Sequence, residues 1–185
     1  MRTAERGGIV LRGAQPADHA RILALNRISE AVLSPLAPQG LDALIAQSWH
    51  HRVACRDGEV QAFLIALAPG ADYDSPNYRW FMQHLADFVY IDRVVVDATA
   101  RQAGLASLLY DDLIDRALSE GIARITCEID IEPPNPASYR FHARRGFVEV
   151  GTQHVAGGRK RVSLQALELG STGAPPLAAA ASTRG

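Results

Sequence analysis

Residues 88–106 read Phe-Val-Tyr-Ile-Asp-Arg-Val-Val-Val-Asp-Ala-Thr-Ala-Arg-Gln-Ala-Gly-Leu-Ala. Phe88 to Val96 is an apolar, largely β-branched run that predicts a strand, interrupted only at Asp92-Arg93. From about Gly104 to Glu120 the period changes. Leu105, Leu109, Leu113 and Ala117 recur at four-residue steps, which predicts a helix closed by Gly121. Between strand and helix lie Arg101, Gln102, Ala103, Gly104, Leu105 and Ala106. A helix N-terminus offers free N–H groups and the positive end of its dipole, and small residues at 104 and 106 let an anion approach the backbone. The hexapeptide has the makings of a pyrophosphate cradle, although a helix that merely starts with small residues looks the same. The Gly-rich dinucleotide fingerprint and the P-loop are both ruled out by the glycine spacing.

Outward from this unit, strand-like and helix-like segments alternate, which predicts an α/β or mixed α+β architecture. Toward the N-terminus, Ile9 to Arg12 is a short strand, and Pro16 opens a helix with Ile22, Leu25, Ile28 and Val32 on one face. Pro35 to Gly40 breaks it, and Leu41 to His50 is a second short helix. Arg52 to Arg56 and Val60 to Leu67 flank Asp57-Gly58, a strong hairpin signal. Pro69 to Leu85 mixes Pro, Gly, Asp and aromatics without a sustained period and is expected to be a long loop. Toward the C-terminus come a strand over Ile122 to Ile131, a helix between Asn135-Pro136 and Gly146, a strand from Phe147 to Val150 and a last strand from Val162 to Leu167. One domain is expected over 1–169. The Gly, Pro, Ser and Ala of 170–185 are expected to form a disordered tail.

Composition narrows the function classes. Lys+Arg 19 against Asp+Glu 20 gives a formal charge of -1, too little field to steer the chain onto nucleic acid or a membrane surface. Cys55 and Cys127 are the only cysteines, which suits a reducing cytoplasm and gives neither a disulfide scaffold nor a zinc-site spacing, so no metal is expected. No apolar leader or run of about 18 apolar residues is present, so a cytoplasmic protein is expected. A homodimer is left open.

A second motif lies downstream. Asn135, Ser138 and His142 stand at i, i+3 and i+7, so one helix face carries an amide, a hydroxyl and an imidazole in a row. Taken together, Arg101-x-x-Gly104-x-Ala106 opening a helix and Asn135-x-x-Ser138-x-x-Phe141-His142-x-x-x-Gly146-Phe147 resemble the GNAT superfamily of acyl-CoA-dependent N-acyltransferases. The likeness runs from about Ile9 to Leu167 and is strongest over 88–150. It implies a mixed, mostly antiparallel twisted sheet flanked by helices, with splayed central strands. It also implies acetyl-CoA as cosubstrate and direct acetyl transfer to an amine. By this likeness Arg101, Gln102, Ala103, Gly104, Leu105 and Ala106 hold the coenzyme pyrophosphate, with Ala106 standing where many relatives have Gly. Val94, Val95 and Val96 offer main-chain groups to the pantetheine arm, a strand N–H near Val94 or Val95 stabilises the oxyanion, and Asn135 and Ser138 lie beside the pantetheine. His142 occupies the position where the family often has a tyrosine that protonates the departing thiolate.

The acceptor side is read from the residues themselves. Period two puts Tyr90, Asp92, Val94 and Val96 on one face and Arg93 on the other. Asp92 on that face is a candidate to take a proton from an incoming ammonium, or equally a carboxylate paired with a nearby cation. Tyr90 is a candidate acid or a pocket wall. Asp72, Tyr73, Asp74, Trp80 and Phe81 form an acidic, aromatic segment suited to a cationic small-molecule amine, or one that packs its rings onto the sheet edge. A non-catalytic acyl-CoA-binding regulatory module of the same fold is the alternative function.

Overall fold

The computed structural model describes residues 4–30, 33–101 and 103–170. Val32, Gln102 and the tail beyond Gly170 lie outside the described residues.

In chain order the elements are β1 (Ala4–Arg6), β2 (Ile9–Gly13), α1 (His19–Ile28), α2 (Pro38–Gln47), β3 (His50–Arg56), β4 (Glu59–Leu67) and α3 (Pro76–His84). They continue as β5 (Val89–Val96), α4 (Leu105–Ser119), β6 (Arg124–Glu132), α5 (Pro136–Arg144), β7 (Val148–Val155) and β8 (Lys160–Glu168). The strands form one eight-stranded sheet in the order β1-β2-β3-β4-β5-β6-β8-β7. Every pairing is antiparallel except that of β5 with β6. The mixed, mostly antiparallel sheet between helical layers is thus as expected. At the β3–β4 turn Asp57 and Gly58 both take positive φ, 51° and 80°, the backbone that the Asp-Gly pair favours.

Two cores lie on the two faces of the sheet. On one, Leu105, Leu109, Tyr110, Leu113 and Ala117 of α4 pack against Val89, Ile91, Ile125, Cys127 and Ile129. On the other, Ile22 and Leu25 of α1, Leu41 and Leu44 of α2, and Tyr78 and Phe81 of α3 cover Val53, Phe63, Ile65, Tyr90 and Val95. Burying each such large apolar side chain contributes about 1.5–3 kcal/mol, so both faces are well supported.

Three expectations are corrected. The segment expected to be a loop from Pro69 to Leu85 contains α3: the Ser75 side chain accepts the Tyr78 N–H at 3.4 Å and Pro76 takes the first helical position. Tertiary burial of Tyr78 and Phe81 stabilises a helix whose polar residues blur its period. The second helix starts at Pro38 rather than Leu41 and ends at Gln47, which frees His50 to begin β3. Most consequentially, β5 does not keep period two. Ile65 pairs with Arg93 and Ala66 with Ile91, so Asp92 is the extra residue of a β-bulge. Tyr90 therefore shares its face with Val95, while Val94 and Val96 pack with Ile91 under α4.

Candidate active site

The parallel pairing of β5 and β6 consists of Val89 with Ile125 and Tyr90 with Thr126, after which the strands diverge. Asp97 donates its N–H to Gln61 O in β4 at 2.8 Å. Main-chain groups alternate along a strand, so those of Val96 and Val94 turn the other way, into the split, and those of Val95 turn toward β4. The unpaired edge of β5 is the backbone that an extended ligand arm would need.

A cavity of about 270 Å³ occupies the split, lined by Val94, Val95, Val96, Arg101, Asn135, Ser138 and His142 among others. Of the segment before α4, Arg101 lines it. Gly104 caps the helix in the left-handed conformation, φ 73°, and the first bond into the helix runs from Leu108 N–H to Gly104 O at 3.0 Å. The N–H groups of Leu105, Ala106 and Ser107 precede that bond and have no intrahelical acceptor. The Leu105 side chain is buried in the core beneath them, whereas Arg101, Ala103 and Gly104 are exposed. Asn135 caps α5, its side chain accepting the Ser138 N–H at 3.2 Å. An open left-handed glycine, free amides and an unpaired strand edge fit a diphosphate joined to an extended arm.

A second cavity of about 440 Å³ adjoins the first, lined by Glu30, Leu33, Ser34, Tyr73, Asp74, Tyr90 and Lys160 among others. Asp92, Arg93, Glu128 and Asp130 line both. Glu128 stands at this junction. Its Oε2 accepts the Tyr90 hydroxyl at 2.7 Å. Burial raises the Glu128 carboxyl to about 7, with the hydroxyl of Tyr90 opposing the rise and the charge of Asp92 adding to it. A carboxyl balanced near neutrality can give or take a proton there. Tyr90 is fully buried, and burial beside Glu128 pushes its hydroxyl well above the ordinary value, so it serves as the partner of Glu128 and a wall of the second cavity.

Asp92 differs from the expectation in its surroundings. Because the bulge breaks the alternation, Arg93 lies on its side rather than opposite, with Nε 2.6 Å from Asp92 Oδ2. Tyr73 donates its hydroxyl to Asp92 Oδ1. The carboxylate is paired, and a substrate cation is not required to neutralise it.

His142 lies at the base of the first cavity, and both ring nitrogens are engaged. Nδ1 is 2.8 Å from Ser138 O, and Nε2 is 2.7 Å from the Tyr110 hydroxyl. A carbonyl only accepts, so Nδ1 carries the proton and Nε2 accepts from Tyr110. Burial lowers the His142 pKa, opposed by the Ser138 carbonyl and reinforced by Arg145. In this arrangement the ring proton is directed at the Ser138 carbonyl and Nε2 at Tyr110, so the hydroxyl of Tyr110 joins His142 as a candidate to return a proton to sulfur.

Of the expected acceptor residues, Tyr73 and Asp74 line the second cavity. Asp72 is exposed outside the lining. Phe81 is buried in the core, and Trp80 stacks on His84 with ring centroids 3.9 Å apart, so neither ring reaches the cavity. The sequence reading missed Glu128 and Tyr110. An acid flanked by Cys127 and Ile129 in the strand-like run 122–131 was the available signal for the first, and a hydroxyl beside the leucine stripe of α4 for the second. Among the described residues no group of three or more His, Cys, Asp or Glu could hold a metal, and no helix is long and apolar enough to cross a membrane.

The sequence profile of the acetyltransferase (GNAT) family matches residues 25–147. A search of curated proteins gave no match. Among solved structures, the ribosomal-protein-S18-alanine N-acetyltransferase from Escherichia coli is similar at 18% identity and a TM-score of 0.66, covering 89% of this chain and 96% of that one. Ard1 from Thermoplasma volcanium is similar at 15% identity and a TM-score of 0.71, covering 87% and 97%. The structure of yncA from Salmonella typhimurium with its cofactor acetyl-CoA is similar at 21% identity and a TM-score of 0.67, covering 91% and 98%. At these identities the likeness is one of fold.

Proposed function

The chain belongs to the GNAT family of acetyltransferases, and on that premise we propose that it transfers acetyl directly from acetyl-CoA to the primary amine of a small molecule. The observation that carries this reading is Glu128, a carboxyl raised to about 7 at the junction of the two cavities. In this reading the cavity in the split takes the acetyl donor and its neighbour takes the amine.

Acetyl-CoA supplies the acetyl group as a thioester. The free amides of Leu105, Ala106 and Ser107 hold its diphosphate, with Arg101 beside them, and the Val94 and Val96 main chain holds the arm. The Val94 N–H, turned into the split, stabilises the oxyanion in place of Val95. Glu128 accepts the proton of the incoming ammonium, so that a free amine attacks. Tyr110, whose hydroxyl rests on His142 Nε2, turns that hydroxyl to give its proton to the departing sulfur, and water restores the proton to Tyr110 after the thiol leaves.

Charge balance favours a cationic acceptor. In the second cavity Arg93 is paired with Asp92 at 2.6 Å and Lys160 with Asp130 at 2.9 Å, and Asp74 is paired with Arg79. Among the described residues Glu30 and Glu128 have no ion-pair partner in that lining, which suits an ammonium and disfavours a carboxylate-bearing amine.

The test is release of free thiol from acetyl-CoA against a panel of primary amines, amino acids and alcohols. Turnover with cationic amines, lost in Glu128→Gln, is expected. Coenzyme binding without thiol release from any amine would leave only the non-catalytic module.

A further inference from the structure

We propose that Asp92 and Arg93 are positioning residues, a strut across the floor of the acceptor cavity that fixes the separation of its two walls and thereby the size of amine admitted. The inference rests on the acetyl-transfer reading for the identity of the occupant. The strut itself is independent of it.

One wall follows α1, and Glu30, Leu33 and Ser34 line the cavity from it. The other lies between β4 and α3, with Tyr73, Asp74 and Ser75 in the lining. These segments are 40 or so residues apart in the chain, and the hydrogen bonds that join them here run through β5. Arg93 Nη1 donates to Asn26 Oδ1 at 2.8 Å, and Asn26 Nδ2 in turn donates to Ser34 O at 3.2 Å, which secures the first wall. Tyr73 donates to Asp92 Oδ1, which secures the second. Asp92 Oδ2 and Arg93 Nε, 2.6 Å apart, close the chain between them.

The side chains of Asp92 and Arg93 are 4% and 5% exposed, so these bonds are sheltered from water. Regular alternation would have sent the two side chains to opposite faces. The bulge at Asp92 brings them to one side, where a single ion pair reaches both walls. With each oxygen of Asp92 already accepting from a neighbour, the carboxylate is committed to holding rather than to proton transfer. Proton transfer falls to Glu128.

The experiment uses Tyr73→Phe, which removes one hydroxyl and keeps the ring, and Asn26→Ala on the opposite wall. Steady-state kinetics with a compact and a branched primary amine should show acceptor KM for the compact amine rising about tenfold in Tyr73→Phe, as expected for loss of a hydrogen bond to a charged group. The preference for the compact amine should narrow by a similar factor. kcat should change less than about threefold, with coenzyme affinity and the pH profile unmoved.

Hydrogen exchange on the ligand-free protein supplies a readout that needs no turnover. Tyr73→Phe should raise exchange in the peptide carrying Leu33 and Ser34, across the cavity from the substitution, and Asn26→Ala should raise it around Tyr73. Exchange confined to the mutated wall, or an unchanged amine preference, would overturn the strut. A kcat collapse with a shifted pH profile would overturn it in favour of proton transfer by Asp92. Absence of thiol release from the wild type with any amine would instead overturn the acetyl-transfer reading and leave the exchange result standing.

Discussion

The hydroxyl of Tyr110 donates to Nε2 of His142 across 2.7 Å, from α4 to α5, at the base of the cavity between β5 and β6. That one bond makes the two side chains a unit, because it occupies the only ring nitrogen of His142 left free by Ser138.

Removing the hydroxyl tests the unit. General acid catalysis contributes roughly 10²-fold to 10⁴-fold, so Tyr110→Phe should lower kcat within that range and leave the coenzyme dissociation constant near the wild-type value. His142→Gln keeps an acceptor for the hydroxyl and should lose less than His142→Ala. Losses under about threefold in all three variants would assign proton return to water.

The pH profile should follow Glu128. With its carboxyl at about 7, kcat/KM should rise through that pH as the base ionises. It should then hold a plateau to pH 9, since the Tyr110 hydroxyl is held by burial well above its ordinary value. A profile that instead falls as pH rises from below about 6.5 would mean that a charged imidazole is the acid.

Glu128 also sets a stability prediction. Its folded pKa of about 7 exceeds the ordinary value of 4.5, so the protein binds the proton more tightly than the unfolded chain does. The favourable contribution is complete below about 4.5 and is lost as pH rises through about 7. Two and a half pKa units correspond to about 3 kcal/mol, so Glu128→Gln should be more stable than wild type at pH 8 by up to about that amount while being inactive. Denaturant titrations at pH 4 and pH 8 measure it. Equal stability at pH 8 would sink the prediction.

The buried and half-buried imidazoles act in the opposite sense. Burial lowers the pKa of His50, His51 and His142 below 6.5, so unfolding takes up protons and stability falls as pH drops below that value. In the Glu128→Gln background, where the carboxyl no longer opposes the trend, the thermal midpoint should decline steadily from pH 7 to pH 5. A flat midpoint would contradict it.

At the helix start the backbone is the constraint. Gly104 takes φ 73° with nothing within 4 Å of where a Cβ would stand, so conformation rather than crowding within the protein selects glycine. Gly104→Val should destabilise by roughly 1–2 kcal/mol and weaken coenzyme binding, while Gly104→Asn, a residue at ease in the left-handed region, should largely keep both. Calorimetric titration and thermal melts would show the ranking, and equal behaviour of the two variants would refute it.

Local signals made much of the fold legible. The run from Phe88 to Ala106 carries the switch from β5 to α4 and the Asn135-Pro136 cap opens α5, signals local in the chain that place these three elements. The Ser75-Pro76 cap carried the same signal for α3 but was submerged in a polar, aromatic stretch. The bulge at Asp92 was illegible, because register belongs to two strands and a sequence shows one at a time. The same holds for Glu128, whose meeting with Tyr90 depends on β5 and β6 being neighbours.

The two residue pairs between β5 and β6 have a mechanical consequence. The sheet is two plates, β1 to β5 and β6 to β8, welded at one corner, bridged there by the Tyr90–Glu128 hydrogen bond, and otherwise held by the helices that cross the gap. A donor lying along the open edge of β5 would become a temporary ninth strand, adding cohesion just where the polypeptide supplies least. Binding at a hundred times the dissociation constant adds about 2.7 kcal/mol to a fold. On the proposed reaction, the interval after product leaves and before the next donor arrives would be when the plates are freest to move apart, and turnover would alternately stiffen and loosen the molecule along that seam.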